Sequence, residues 1–454
     1  MNNLEHDLRH IYIRCKRVSQ SDMSDGGIIN VLEHGVAADG VTNNTTQINN
    51  IIKNMKNGGM LFFPPGKYVT GSIIMRSNIT IHISRGAELI GSDCKDDFPY
   101  VREAADVGFA RDGRHAFISA WMCENIAIEG GGVINPRGEN WWDNPSDKQR
   151  PRAIQTVLCD NVKIRDVTIK NSPIWTIHPV CCNNVLVDGV SIKNPADSPN
   201  TDGINPESCS NVRVSNCIVD VGDDCITLKS GTENDALQKK YACKNISIVN
   251  CTLLRGHGGI VIGSEMSGGV KSVVVSNCIF DRTDRGIRIK TRRKRGGIVE
   301  DVTISNLHMQ NVLSPFTINE YYVCGARPDD MELFSPCAID VDETTPIIRN
   351  ISLNNITVRN AFVSAMYILG LPELPVSGLK VSNISVETVC CDDICDEAIM
   401  NPNSEKLQGS GIHLENIADS YFDNISVTVA CGEALATNNV KNVRFNGEIL
   451  GCCK

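Results

Sequence analysis

Three acidic residues and two basic ones recur in one register along this chain: Asp202 in Asn200-Thr201-Asp202-Gly203, Asp223 and Asp224 in Gly222-Asp223-Asp224, and Arg288 with Lys290 in Arg288-Ile289-Lys290. Each cluster borders a short isoleucine segment. Asp202 and Asp224 both lie two residues before their isoleucine, and those isoleucines, Ile204 and Ile226, are 22 residues apart, one coil of a solenoid. If Ile204, Ile226, Ile260 and Ile287 stack as one column, a pair of carboxylates with a third beside it meets two cations on nearby rungs. That grouping suits acid–base chemistry on an anionic substrate.

Hydrolysis of a glycosidic bond with inversion needs one carboxylic acid to protonate the leaving oxygen and a carboxylate to activate water, ~6.5 to 9.5 Å apart. Rungs of a parallel sheet are ~4.7 to 4.9 Å apart, so carboxyl groups from neighbouring rungs are expected to open that gap. Asp223 and Asp224 are consecutive and would leave a regular strand on opposite faces. Both reach one cleft only if the backbone bends, a bend that Gly222 would make cheap. Mutual repulsion should raise the pKa of at least one of the three acids. An isolated Asp in either motif reads as a turn residue; two copies in register do not. His257, in Gly256-His257-Gly258-Gly259, precedes Ile260 by three residues and is placed to orient or tune an acid. Arg288 and Lys290 share one strand face by their spacing of two, and a guanidinium grips a carboxylate through two parallel bonds. Lys229 follows Ile226 by three residues as Lys290 follows Ile287, so it reads equally as a further cation of that column and as a solvated surface lysine.

The elements that must position these groups come from a repeat, Asn-Val-x-Ile/Val, seen at Asn161, Asn184, Asn211 and Asn245, with looser copies at Asp301, Asn350, Asn424 and Asn442. Spacings of 23, 27 and 34 residues between the first four imply a fixed coil with loops of different size. Apolar and polar residues alternate over short runs bounded by Asn, Gly and Asp, which predicts short strands and tight corners. Asn tolerates the left-handed backbone of such corners. One coil cannot bury its inward face alone, and stacking buries a continuous apolar column, so the fold class is all-β, a parallel β-helix. Ahead of it, Thr42 or Asn43 is expected to cap a helix that lines up Ile48, Ile51, Ile52 and Met55 and covers the end of the solenoid. Residues 28–454 read as a single catalytic β-helix domain, and residues 1–27 as an arm or an oligomer contact.

The chain of 454 residues is 41% hydrophobic and 21% charged, which excludes a largely disordered protein. A formal charge of −9 argues against nucleic acid or an anionic membrane as partner, although six of the eight residues from Arg288 to Arg295 are Arg or Lys. That run is either a local basic face or a solvated loop. No apolar stretch has the length of a membrane span and the first ten residues are polar, so a cytoplasmic location is expected. The 20 cysteines lack zinc-like spacing, and many follow Asn at equivalent repeat positions, as in Asn216-Cys217, Asn250-Cys251 and Asn277-Cys278. They are expected to be reduced thiols packed in the interior.

The four motifs Asn200-Thr201-Asp202, Gly222-Asp223-Asp224, Gly256-His257-Gly258 and Arg288-Ile289-Lys290, in this order, resemble those of glycoside hydrolase family 28, the polygalacturonases and their relatives. Gly40 to Ser92 resembles the family's N-terminal cap. The resemblance implies a right-handed helix with an N-terminal helical cap, inverting hydrolysis, Asp223 as general acid, Asp202 and Asp224 jointly activating water, and His257 supporting the acid. It also implies that Arg288 and Lys290 hold the uronate carboxylate, that Tyr322 or its neighbour Tyr321 binds substrate, and that no metal or organic cofactor takes part. Gly258 to Val270 and Arg292 to Arg295 resemble bacterial exo-acting members. The expected activity is therefore release of galacturonic acid from oligogalacturonides, pectic fragments. Rhamnogalacturonan or xylogalacturonan hydrolysis, a pectate-lyase-like elimination and a non-catalytic carbohydrate-binding β-helix are the competing readings.

Overall fold

The computed structural model describes residues 26–101, 113–144, 149–235, 238–327 and 330–450. Apart from Gly26 and Gly27, the expected N-terminal arm lies outside the described residues. The rest is a right-handed parallel β-helix, in which each coil contributes up to three short strands to three stacked sheets.

The isoleucine column forms and extends beyond the four positions expected. Ile73, Ile118, Ile154, Ile177, Ile204, Ile226, Ile260 and Ile287 pair in parallel register from rung to rung, and Phe316 continues the stack. All of these side chains point inward and none is more than 6% exposed. Full burial of each such side chain stabilises by ~1.5–3 kcal/mol, and the β-branched shape fits a pleated interior. Because residues alternate across a strand, those one and three positions after each column residue point outward. They form the floor of a groove.

Corners are held by asparagine. Asn161, Asn184, Asn211 and Asn245 have φ of 55°, 53°, 58° and 57°, the left-handed region that most side chains avoid. Their amides also bond along the stack: Asn161 Nδ2 donates to Asn125 Oδ1 at 2.7 Å, and Asn184 Nδ2 to Asn161 Oδ1 at 3.4 Å. The same corners recur at Asp301, Asn350, Asn424 and Asn442.

The N-terminal helix spans Thr45–Asn54 and buries Ile48, Ile51 and Ile52 against the first coils. Its N-cap is Asn44, not Thr42 or Asn43. Asn44 turns its amide to Ala37 instead, and Asn43 Oδ1 accepts from Thr45 N at 3.0 Å, taking over the capping bond. At the far end, strand Leu435–Phe445 is closed by the antiparallel return Glu448–Leu450, which blunts the open edge.

Among the described residues fifteen cysteines are free, and most are buried, including Cys217, Cys251 and Cys278. Cys159 N donates to Cys182 Sγ and Cys182 N to Cys209 Sγ, each at 3.4 Å, so thiols stack in their own column. One pair departs from the all-reduced expectation: Cys390 is bonded to Cys431. Those two residues approach through a loop and a terminal coil, outside the repeat that carries the thiol columns.

Asn161→Ala should lower the urea midpoint, corresponding to about 1–3 kcal/mol for an alanine held at φ > 0 and lost amide bonds. Asn161→Gly should lose less, because glycine accepts the backbone without strain. Equal losses would show that the corner conformation contributes nothing.

Candidate active site

The groove floor is a double column of outward side chains. Rung by rung it reads Asn205 and Glu207, Thr227 and Lys229, Val261 and Gly263, Arg288 and Lys290, Thr317 and Asn319. Lys229 and Lys290 thus share a column, with Gly263 between them. The turns that enter these strands supply the acids and the histidine from the opposite side.

Asp223 and Asp224 both face the groove, because the chain bends at residues 222–225 before strand Ile226–Leu228 begins. Asp224 N donates to Asp223 Oδ1 at 2.8 Å and fixes the bend. Gly222 serves differently from expectation. Its backbone is not left-handed; a Cβ there would lie 2.5 Å from Ser198 O and 2.8 Å from Pro195 O, so glycine permits close approach of the loop carrying Asp202. Gly256 does need its freedom: φ is 82°, and a Cβ would stand 2.4 Å from Asp223 O. That contact lets His257 N donate to Asp223 O at 3.1 Å and sets the ring beside the acid.

One oxygen from each of Asp202, Asp223 and Asp224 lies within 4.8 Å of the others. This closest approach of single oxygens is about one rung spacing, ~4.8 Å. The turns that carry the three acids converge on one point. Asp202 and Asp224 are buried and Asp223 is half-buried. Lys290 Nζ donates to Asp224 Oδ2 at 2.7 Å, and Arg288 Nη1 is 3.8 Å from Asp224 Oδ1. Asn205 Nδ2 donates to Asp202 Oδ2 at 3.1 Å, and His257 Nδ1 is 3.3 Å from Asp223 Oδ1. Three oxygens so close are also the spacing of a cation site. Here the Lys290 ammonium bonds one of the three, Asp224.

These surroundings separate the acids. Burial, then the Asp223 charge, pushes Asp202 well above the usual carboxylate range, with Lys229 opposing. Burial also works against ionised Asp223, but the His257 hydrogen bond and charge, with help from Lys290, bring it down to about 2. His257 is raised in turn, mainly by its bond to Asp223 and against burial. These surroundings favour the neutral form of Asp202 and the ionised form of Asp223.

Lys229 is buried, not a surface lysine. Its Nζ is 2.8 Å from Glu265 Oε2 and 4.8 Å from the centre of the Trp175 ring. Burial opposes its charge, and Glu265, Asp202 and Asp224 more than restore it. Tyr322 is the tyrosine at the groove, its ring 5.5 Å from Arg288 Cζ and 5.2 Å from Lys290 Nζ. Tyr321 turns away into a second apolar cluster and lies over Arg293.

From Arg292 to Arg295 the basic run is neither a basic face nor a solvated loop. Arg292 and Arg295 pair with Glu233, and Arg293 pairs with Glu373 through two hydrogen bonds of 2.6 and 2.8 Å. Only Lys294 is well exposed. Sequence reasoning missed Glu265, Trp175 and Asp284. Glu265 follows the column glycine Gly263 by two residues, a signal that the register held; Trp175 had none. Asp284 lies three residues before Ile287, the position that His257 and Asp223 occupy before Ile260 and Ile226, and its charge helps raise His257.

The profile of Glycosyl hydrolases family 28 matches residues 102–405, and that of Rhamnogalacturonase A/epimerase, pectate lyase-like, matches residues 28–103. The chain is 30% identical to a probable polygalacturonase of Vitis vinifera over 71% of its length and 67% of the relative's. It is 26% identical to an exo-poly-alpha-D-galacturonosidase of Dickeya chrysanthemi over 63% of its length and 55% of the relative's. Across such curated relatives the chain spans about half to two thirds of their length, from 45% to 67%. Among solved structures, an exopolygalacturonase of Thermotoga maritima superposes with a TM-score of 0.70 at 26% identity, covering 84% of this chain and 93% of that one. The family 28 exopolygalacturonase of Yersinia enterocolitica shares the fold with a TM-score of 0.78 at 21% identity, covering 94% and 79%.

Between the unfolded and folded pKa of Asp202, the unfolded chain binds fewer protons than the native protein, so stability falls as pH rises through that window. Asp202→Asn removes this loss. Thermal melts should show the variant more stable than wild type at pH 8, with the advantage shrinking toward pH 4; a pH-independent difference would contradict the raised Asp202.

Proposed function

This chain belongs to the glycosyl hydrolases family 28, and from that premise we propose that it hydrolyses α-1,4-galacturonosidic bonds with inversion, releasing galacturonic acid from the end of oligogalacturonides. The observation that carries the proposal is the cluster of three carboxylates closed against Arg288 and Lys290. An acid pair alone would serve many glycosides; two cations two rungs further along the floor select a sugar acid.

Arg288 and Lys290 grip the uronate of the bound unit. Its charge, and the water it expels, weaken the stabilisation of ionised Asp223 and draw the proton from Asp202 toward it. Asp223, the least buried of the three acids, then protonates the leaving oxygen. Asp202, now ionised, and Asp224 accept a proton from the attacking water, and Asp202 ends the cycle protonated again. His257 holds Asp223 in place from the mouth of the groove. Tyr322 covers the cation pair. The exo assignment is supported by the exo-acting relative and the Thermotoga structure. A reducing, cytoplasmic setting is supported by the fifteen free thiols, with Cys390–Cys431 the one contrary feature.

One observation favours a second reading. Carboxyl groups as close as these fit double displacement, for which ~5–5.5 Å is usual. Against it, Asp224 is bound to Lys290 and Asp202 carries the proton, so neither is a free nucleophile.

Proton NMR of trigalacturonate during turnover should show β-galacturonic acid first. The α anomer first would establish retention, and an unsaturated product would mean elimination. Asp223→Asn should reduce kcat by about 10²- to 10⁴-fold while calorimetry still detects trigalacturonate binding; full activity would remove Asp223 from the mechanism.

A further inference from the structure

His257 stands between two carboxylates, and only one of them touches it. Parallel pairing of Ile226 with Ile260 and of Ile260 with Ile287 puts Asp223, His257 and Asp284, each three residues ahead of its column residue, on three consecutive rungs. Backbone bonds tie the three turns together: His257 N donates to Asp223 O at 3.1 Å, and Asp284 N donates to Gly256 O at 2.9 Å. At a rung spacing of ~4.8 Å the imidazole therefore has an acid on either side. Asp223 meets it directly, with Oδ1 3.3 Å from His257 Nδ1. Asp284 acts on it from the far side through charge.

The turn that carries Asp284 is fixed by main chain, which leaves the carboxylate for other work. Asp284 O accepts from Leu313 N and Ser314 N, both at 3.0 Å. Burial raises Asp284, and the charges of Arg285, His257 and Arg288 oppose that rise; Arg285 Nη1 is 3.7 Å from Asp284 Oδ2. At the ring itself the bond to Asp223 favours the imidazolium, burial opposes it, and the charges of Asp223, Asp284 and Asp224 add to its support. His257 thus draws charge from two rungs, one of which takes part in the reaction.

That division matters because Asp223 changes charge during the proposed cycle. It takes up a proton before passing it to the leaving oxygen. While neutral, Asp223 no longer supports the imidazolium by charge, and burial favours loss of the His257 proton. A neutral His257 would leave the Asp223 anion that forms next without its cation, and Asp223 would be the weaker acid for it. We infer that Asp284 is a positioning residue that keeps His257 protonated through the half-cycle in which Asp223 is neutral, so that the imidazolium is in place when Asp223 gives up its proton. This role rests on the inverting-hydrolase reading and adds a residue to it.

Asp284→Asn keeps the shape and the backbone bonds of the turn and removes its charge. With isotope-labelled histidine, the NMR signal of His257, identified by its loss in His257→Gln, should titrate about half a unit to one unit lower in Asp284→Asn than in wild type. In Asp223→Asn an amide stands in for the protonated acid; there His257 should stay protonated to a higher pH than in the double variant Asp223→Asn/Asp284→Asn. On trigalacturonate, the alkaline limb of kcat should move to lower pH by the same interval in Asp284→Asn, a loss of about three- to tenfold on that limb, with KM little changed. Asp284→Glu should recover both readouts, and Asp284→Ser should repeat the loss. A His257 titration that ignores removal of the Asp284 charge overturns the inference, and so does an alkaline limb that stays in place while His257 shifts. No turnover of trigalacturonate by wild type overturns the hydrolase reading, and the role of Asp284 in the reaction falls with it.

Discussion

Everything at the candidate site depends on the parallel register of the column that runs from Ile73 to Phe316. Parallel pairing without slippage converts position relative to an isoleucine into position in space. Asp223, His257 and Asp284 lie three residues before their column residues, Asp202, Asp224 and Arg285 two before, and Lys229 and Lys290 three after. A shift of one residue on any rung would send its outward side chains into the core. The buried isoleucines make that shift costly, and the asparagine corners fix where each strand begins.

On this scaffold the charges are arranged to oppose one another. Burying three carboxylates together is unfavourable unless cations or protons compensate. Lys290 compensates Asp224, His257 compensates Asp223, and burial beside Asp223 disfavours charge on Asp202, with Lys229 opposing. Lys229 is held in its charged state by Glu265 and by the acids themselves. Removing any one charge would change the protonation of the rest, which is the behaviour of a coupled site.

The loops between coils give the groove its sides. Gly222 and Gly256 allow backbone to press against backbone, which brings acids from successive turns to one point. The buried pairs Arg293–Glu373 and Arg292–Glu233 brace the loops beyond Lys290 and leave Arg288 and Lys290 as the cations of the groove floor. Arg292, Arg293 and Arg295 thus act as internal bracing, although the composition of the run alone resembles a surface for anions.

The sequence by itself determined the solenoid, the isoleucine column, the corner asparagines and the set of residues that share a register, because each of these follows from short-range alternation and from spacing along the chain. The helical cap was legible for the same reason, though not its N-cap residue: Asn44 is claimed by Ala37, a contact outside the helix pattern. Tertiary structure alone decided how close the three carboxylates stand, how deeply each is buried, which tyrosine faces the groove, and that the arginines from Arg292 to Arg295 are buried and paired. Those properties arise where loops of unequal length fold back on one another, and the turns aim side chains at a point that rung spacing does not specify. Register fixes which residues are neighbours; packing of the loops fixes their distances, their burial and hence their charge.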